Sequence, residues 1–154
     1  MKLSYLIKGL PGHPLHPPLT DVTIGTYTFA TVAAFLNVIG VVDRSAAVAW
    51  WLALVVGLCS TALTATAGFF DWIEIEWGST IWKKATWHLT VMLAASGVFL
   101  VAALVGHHDY ATGIVGAGSF VLTLIGFALL TLGGWLGGAI VFVHGMRVTA
   151  SDES

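Results

Sequence analysis

Four long stretches of this chain are almost free of charge, and each could cross a bilayer. They run from Thr20 to Val42, Ala46 to Phe70, Ala85 to Val105 and Thr112 to Val143; the first holds only Asp21, at its start, and the others hold no Asp, Glu, Lys or Arg. A helix needs about 20 apolar residues to span the hydrocarbon core. Inside that core the backbone must satisfy its own hydrogen bonds, so each stretch is expected to be α-helical. A transmembrane barrel would show short segments of alternating hydrophobicity instead. The last stretch is long for one crossing, which predicts a tilted helix or one that projects beyond the bilayer.

Composition agrees with lipid as the solvent. The chain is 57% hydrophobic and 9% charged, with mean hydropathy +0.90, whereas a water-soluble domain carries roughly 25% charged residues. A soluble enzyme is therefore excluded, and 154 residues leave no room for a soluble domain beside four spans. The expected fold is all-α, an integral membrane four-helix bundle. It divides into a Pro/His-rich cytoplasmic segment (1–19), a transmembrane domain (20–147) and a polar tail (148–154). The N-terminal stretch does not read as a cleavable signal, because Lys8, Gly12 and the prolines interrupt its apolar run.

Lys and Arg placement predicts the orientation. Four crossings put both termini and the loop after the second span on one side, with Lys2, Lys8, Lys83, Lys84 and Arg147; the other side holds Arg44. Positive charge stays inside, so both termini are expected in the cytoplasm. Trp50 and Trp51 are expected at the outer interface, and Trp72, Trp77, Trp82 and Trp87 at the inner one.

Several function classes are excluded by what is missing. Net charge is −2 and no basic run occurs, so nucleic acid is not a partner. The sequence has no Walker loop, no Gly-x-Ser-x-Gly and no His-Glu-x-x-His. The single cysteine, Cys59, cannot form an internal disulfide and reads as a small buried hydrophobe. Gly133, Gly134, Gly137 and Gly138 form two overlapping small-xxx-small pairs, which predict close helix packing. Thr61, Thr64 and Thr66 are expected to bond back to their own helix and to pack.

The candidate chemistry lies in ionisable residues from separate stretches. Topology brings His13, His16, Asp21, Asp71, His88 and His144 to the cytoplasmic end of the bundle. Ionisable groups at membrane depth are costly, and their convergence is by default a site hypothesis. His88 enters the third span proper and is flanked by apolar residues. The prolines at 11, 14, 17 and 18 predict a stiff, extended segment holding His13 and His16. His107 and His108 fall in the opposite loop and are expected to be solvated.

The run Gly12-His-Pro-Leu-His-Pro-Pro-Leu-Thr-Asp21, followed by Ile24-Gly25, resembles the start of a bacterial membrane family, domain-of-unknown-function family 2231. The resemblance extends to Asp71, His88 and Gly137-Gly138-Ala-Ile-Val-Phe-Val-His-Gly145. It implies a four-helix protein of the bacterial inner membrane. Some members are fused to Rieske-type iron–sulphur domains, which implies electron transfer. The family often has a polar residue where this chain has Ala139, leaving His144 as the candidate ligand of the fourth span.

Two cofactor readings follow. A b-type haem needs two axial imidazoles from facing helices, and His88 and His144 are the expected pair. A divalent transition-metal site would instead draw on His13, His16, Asp21, Asp71 and His88. The third reading is an accessory subunit without cofactor, in which these residues form a hydrogen-bonded latch. A redox partner would accompany the first reading, the glycine pairs leave a homo-oligomer contact open, and the bilayer accompanies all three.

Overall fold

The computed structural model of the chain describes residues 9–10 and 13–146. Lys2, Lys8, Arg147 and the polar tail at 148–154, which entered the orientation and domain expectations, lie outside the described residues. A short antiparallel hairpin comes first, with β1 (Gly9–Leu10) paired to β2 (His13–Pro14). Helices α1 (His16–Val38), α2 (Arg44–Trp72), α3 (Thr80–Val105), α4 (His107–Thr112) and α5 (Ala117–Phe142) follow.

Four of these are long and apolar enough to cross a membrane. With a rise of 1.5 Å per residue, the shortest, α1 at 23 residues, spans about 35 Å. The outward faces are mainly apolar: Phe29, Leu63, Leu104 and Val121 are all exposed. Such a surface is stable only against lipid, because contiguous apolar patches of that extent are rare on proteins in water.

Two element boundaries differ from the sequence expectation. Helix α1 starts at His16, not Thr20, and takes Pro17 and Pro18 into its first turn. First-turn N–H groups have no carbonyl partner within the helix, so proline costs nothing there and its fixed φ favours the start. His16 is therefore helical, and Asp21 lies in the second turn. The stretch from Thr112 to Val143 is also not one helix. Gly113 adopts φ +80° and ends α4, so the crossing helix starts only at Ala117 and is 26 residues long.

The bundle is built from two helical hairpins. Helix α1 packs chiefly on α2, and α3 chiefly on α5; the two pairs meet through α2–α3 and α1–α5 contacts. Lipid tails are as apolar as the helix interfaces, so association depends on close packing and interhelical hydrogen bonds. Small residues allow that approach: Ala30, Ala34, Ala47 and Ala102 are fully buried. Hydroxyls join α1 to α2, where Thr23 Oγ1 lies 2.9 Å from Thr64 Oγ1 and 3.1 Å from Ser60 Oγ. Thr61, Thr64 and Thr66 do bond back to Gly57, Ser60 and Ala62, but Thr61 and Thr64 also reach across to α1.

Away from the termini the interior is closed by Tyr27, Trp50, Leu54 and Phe99, each at most 1% exposed. Trp50 is thus a core residue, not an interfacial one, and its indole N–H donates to Thr123 Oγ1 at 3.0 Å. Trp51 is half-buried beside it and donates to the Ala103 carbonyl. Trp77 and Trp87, at the other end, are exposed as expected of interfacial residues. Cys59 is exposed on the lipid-facing surface of α2, contrary to the expectation of burial.

Candidate functional site

At the end of the bundle where α1 begins and α5 ends, the two hairpins do not close on each other. A cavity of about 360 Å³ separates them, walled by residues from all four long helices. Its size falls within the range of small-molecule and cofactor sites, about 300–1,000 Å³. The α1–α2 wall sets Thr20, Thr61 and Thr64 among apolar residues such as Ile24 and Ala65; the α3–α5 wall is mainly apolar, with Leu89, Met92 and Ile140.

His88 is held firmly in this wall. Its Nδ1 lies 2.8 Å from the carbonyl oxygen of Gly133 on α5. A carbonyl carries no proton, so Nδ1 must be the donor, and in the neutral imidazole Nε2 keeps its lone pair. Residues four apart on a helix share a face, and the residue four beyond Gly133 is Gly137. The His88 ring lies over it: a Cβ added there would come within 2.9 Å of the ring. Any side chain at 137 would cover the carbonyl that His88 uses.

His16 is held in the same way on the opposite hairpin. Its Nδ1 donates to the Thr64 carbonyl of α2 at 3.0 Å, and its ring lies over Gly68, where an added Cβ would come within 2.7 Å. Nε2 of each imidazole has no hydrogen-bond partner among the described residues. Both residues wall the cavity. An imidazole that donates Nδ1–H to a carbonyl and presents Nε2 is in the state in which histidine binds metals.

The carboxylates frame the cavity differently. Asp71 closes α2 and is buried, while Asp21 is exposed on α1; both border the cavity. Among the described residues no group of three or more His, Cys, Asp or Glu side chains is arranged to hold a metal ion. His13 is exposed in β2 and does not wall the cavity. His144 sits in the turn after α5, also outside the cavity wall, with its Nε2 buried and without a hydrogen-bond partner among the described residues. The structure thus brings His16, Asp21, Asp71 and His88 to one cavity and leaves His13 and His144 aside. His107 and His108 are exposed at the far end, as expected.

Of the paired glycines, Gly133 and Gly137 face α3, at Met92 and His88 respectively, whereas a Cβ at Gly134 would meet Ile24 of α1 at 3.9 Å and one at Gly138 only Phe142 of its own helix. Their motif is packing within the bundle. Sequence reasoning did not single out Gly68, and it named Thr64 only for back-bonding and packing, not as a seat for His16. Isolated in the second span, Gly68 carries no motif of its own.

No curated protein and no solved structure matches the chain. The family model described as a predicted membrane protein, DUF2231, matches residues 12–150. That span takes in all the helices of the bundle and both cavity histidines, and the chain belongs to the DUF2231 family of membrane proteins.

Proposed function

We propose that this protein is a membrane redox module that holds a b-type haem in the cavity, with His88 as one axial ligand. The orientation proposed with it places both termini, and so the cavity, on the cytoplasmic side, as the Lys and Arg distribution favours.

The observation that carries the reading is the state of His88: Nδ1–H committed to the Gly133 carbonyl and Nε2 unpartnered beside a cavity. The donor set then selects among cofactors. A bare transition-metal ion needs three or four protein ligands, and no such group is assembled among the described residues. A haem brings four nitrogens of its own and asks the protein only for axial ligands. The mainly apolar α3–α5 wall suits the face of a macrocycle, and bundles commonly hold cofactors between facing helices. The chemistry supplied by such a group is one-electron uptake and release.

The test is an absorption spectrum of the detergent-purified protein, expressed with haem available, air-oxidised and then reduced with dithionite. A Soret band that shifts on reduction and is lost or altered in His88→Ala supports the reading. A colourless protein overturns it and leaves the accessory-subunit reading, in which the bond from His88 to Gly133 is a latch. Stoichiometric zinc or iron without haem would move the site to the metal reading.

A further inference from the structure

The two hairpins share more than their helical direction. His16 and Tyr27 are eleven residues apart on α1; His88 and Phe99 are eleven apart on α3. Gly25 and Gly97 fall at the same intermediate position. On α2, Gly57, Thr64 and Gly68 follow one another at intervals of seven and four; on α5, Gly126, Gly133 and Gly137 repeat those intervals.

These shared positions make equivalent contacts. His16 donates to the carbonyl at 64 and lies over Gly68, as His88 donates to the carbonyl at 133 and lies over Gly137. The Tyr27 ring packs on Gly57 and the Phe99 ring on Gly126. Between the pairs, Tyr27 and Phe99 stack on each other, with centroids 4.0 Å apart. Burial follows the same register: Tyr27 and Phe99, Ala30 and Ala102, and Leu54 and Thr123 are each at most 1% exposed. Each hairpin crosses twice, so the second begins at the end where the first began. That is the arrangement of a parallel repeat, related by an axis along the membrane normal.

Differences between the halves are as informative as the matches. Seven polar side chains of the first hairpin border the cavity: His16, Thr20, Asp21, Thr23, Thr61, Thr64 and Asp71. Their counterparts in the second are His88, Met92, Leu93, Ala95, Leu130, Gly133 and Ile140. Only the histidine is polar in both halves.

We infer that the bundle is an internally duplicated helical hairpin, and that His16, the counterpart of His88, supplies the second axial ligand of a haem held between the two repeats. This assignment rests on the haem reading above. It replaces the pairing of His88 with His144, because His144 lies outside the cavity wall and outside the repeat's shared positions. Eleven residues are three helical turns, so the histidine layer and the Tyr27–Phe99 layer lie on one face about 16 Å apart. His16 and His88 would hold the haem, one imidazole contributed by each hairpin, with the Tyr27–Phe99 layer closing the interior beyond it.

The experiment compares oxidised and reduced spectra of the purified full-length protein with those of His16→Ala, His88→Ala and His144→Ala, each with and without free imidazole. The assignment expects a six-coordinate, low-spin spectrum in the parent and in His144→Ala. His16→Ala and His88→Ala should each lose it, to a high-spin spectrum or to loss of haem, and free imidazole should restore it. Should His16→Ala fail to fold, His16→Met serves in its place, and a shifted but haem-bound spectrum is expected. A parent-like spectrum in His16→Ala or His16→Met overturns the assignment while the haem reading stands, as does loss confined to His88→Ala and His144→Ala. A colourless parent overturns both.

Discussion

Tyr27 of α1 and Phe99 of α3 lie face to face across the middle of the bundle, their ring planes 7° apart. Gly57 and Gly126 stand directly behind the two rings. The four residues form one layer reaching from α2 to α5, and it closes the interior next to the cavity. A methyl group at 57 would come within 2.6 Å of the Tyr27 ring, and one at 126 within 2.8 Å of the Phe99 ring. Gly57→Val and Gly126→Val should therefore each destabilise the bundle by about 1–3 kcal/mol, the usual cost of overpacking an interior. Thermal unfolding in detergent checks this. Gly118→Val, where an added Cβ meets nothing within 4 Å, is the control expected to unfold close to the parent.

The bond from Trp50 to Thr123 crosses between the hairpins in a layer without solvent. Thr123 Oγ1 donates to the Ser119 carbonyl at 2.8 Å and accepts from the indole at 3.0 Å, and both residues are fully buried. Thr123→Val keeps the shape and removes the acceptor. Interhelical hydrogen bonds in membrane proteins average about 0.6 kcal/mol and reach about 1.7; an indole N–H with no water to turn to should fall in the upper half of that range. Trp50→Phe in the Thr123→Val background should cost less than the two changes taken separately, which a double-mutant cycle measures.

The seats of the two histidines give a prediction about the site itself. Gly137→Ala places a methyl group within 2.9 Å of the His88 ring, and Gly68→Ala one within 2.7 Å of the His16 ring. Both should displace the imidazole from its carbonyl. The expected outcome is weakened haem retention in either variant, read as Soret absorbance per protein after purification, with Gly138→Ala unaffected because its Cβ would face only Phe142 at 3.9 Å.

Orientation can be tested with the single cysteine removed. In a Cys59→Ser background, cysteines placed at Glu76, in the α2–α3 connection, and at Ser45, at the start of α2, lie at opposite ends of the bundle. A membrane-impermeant maleimide added to intact cells should label the cysteine at 45 and spare the one at 76. The reverse pattern would place the cavity on the outer side.

How much of this was legible in the sequence varies from residue to residue. The four crossings were, because a charge-free run of 20 or more residues has one low-energy solution in a bilayer. Their edges were less so at Pro17 and Pro18, which read as breakers and are first-turn residues, and at Gly113, whose turn divides an unbroken apolar run. The convergence of His16, Asp21, Asp71 and His88 on one end followed from counting crossings. The role of His144 did not: it shares that end with His88 but not the cavity wall. The repeated spacing of histidine, glycine and aromatic residue was present in the sequence. It carries meaning only once the two hairpins are known to pack as equivalent units.

The sequence by itself determined the solvent of this protein, its number of crossings and the end at which its ionisable residues gather. These depend on composition and order alone, since hydrophobic length and helix direction act locally along the chain. Tertiary structure decided which tryptophan is core, which glycines seat a ring, and which histidines share a cavity. Those outcomes depend on helix rotation and pairing, and in lipid these are set by close packing between faces that are apolar all round. His16 and His88 meet at one cavity because Gly68 and Gly137 leave a backbone carbonyl open to each imidazole, a relation that exists only between helices.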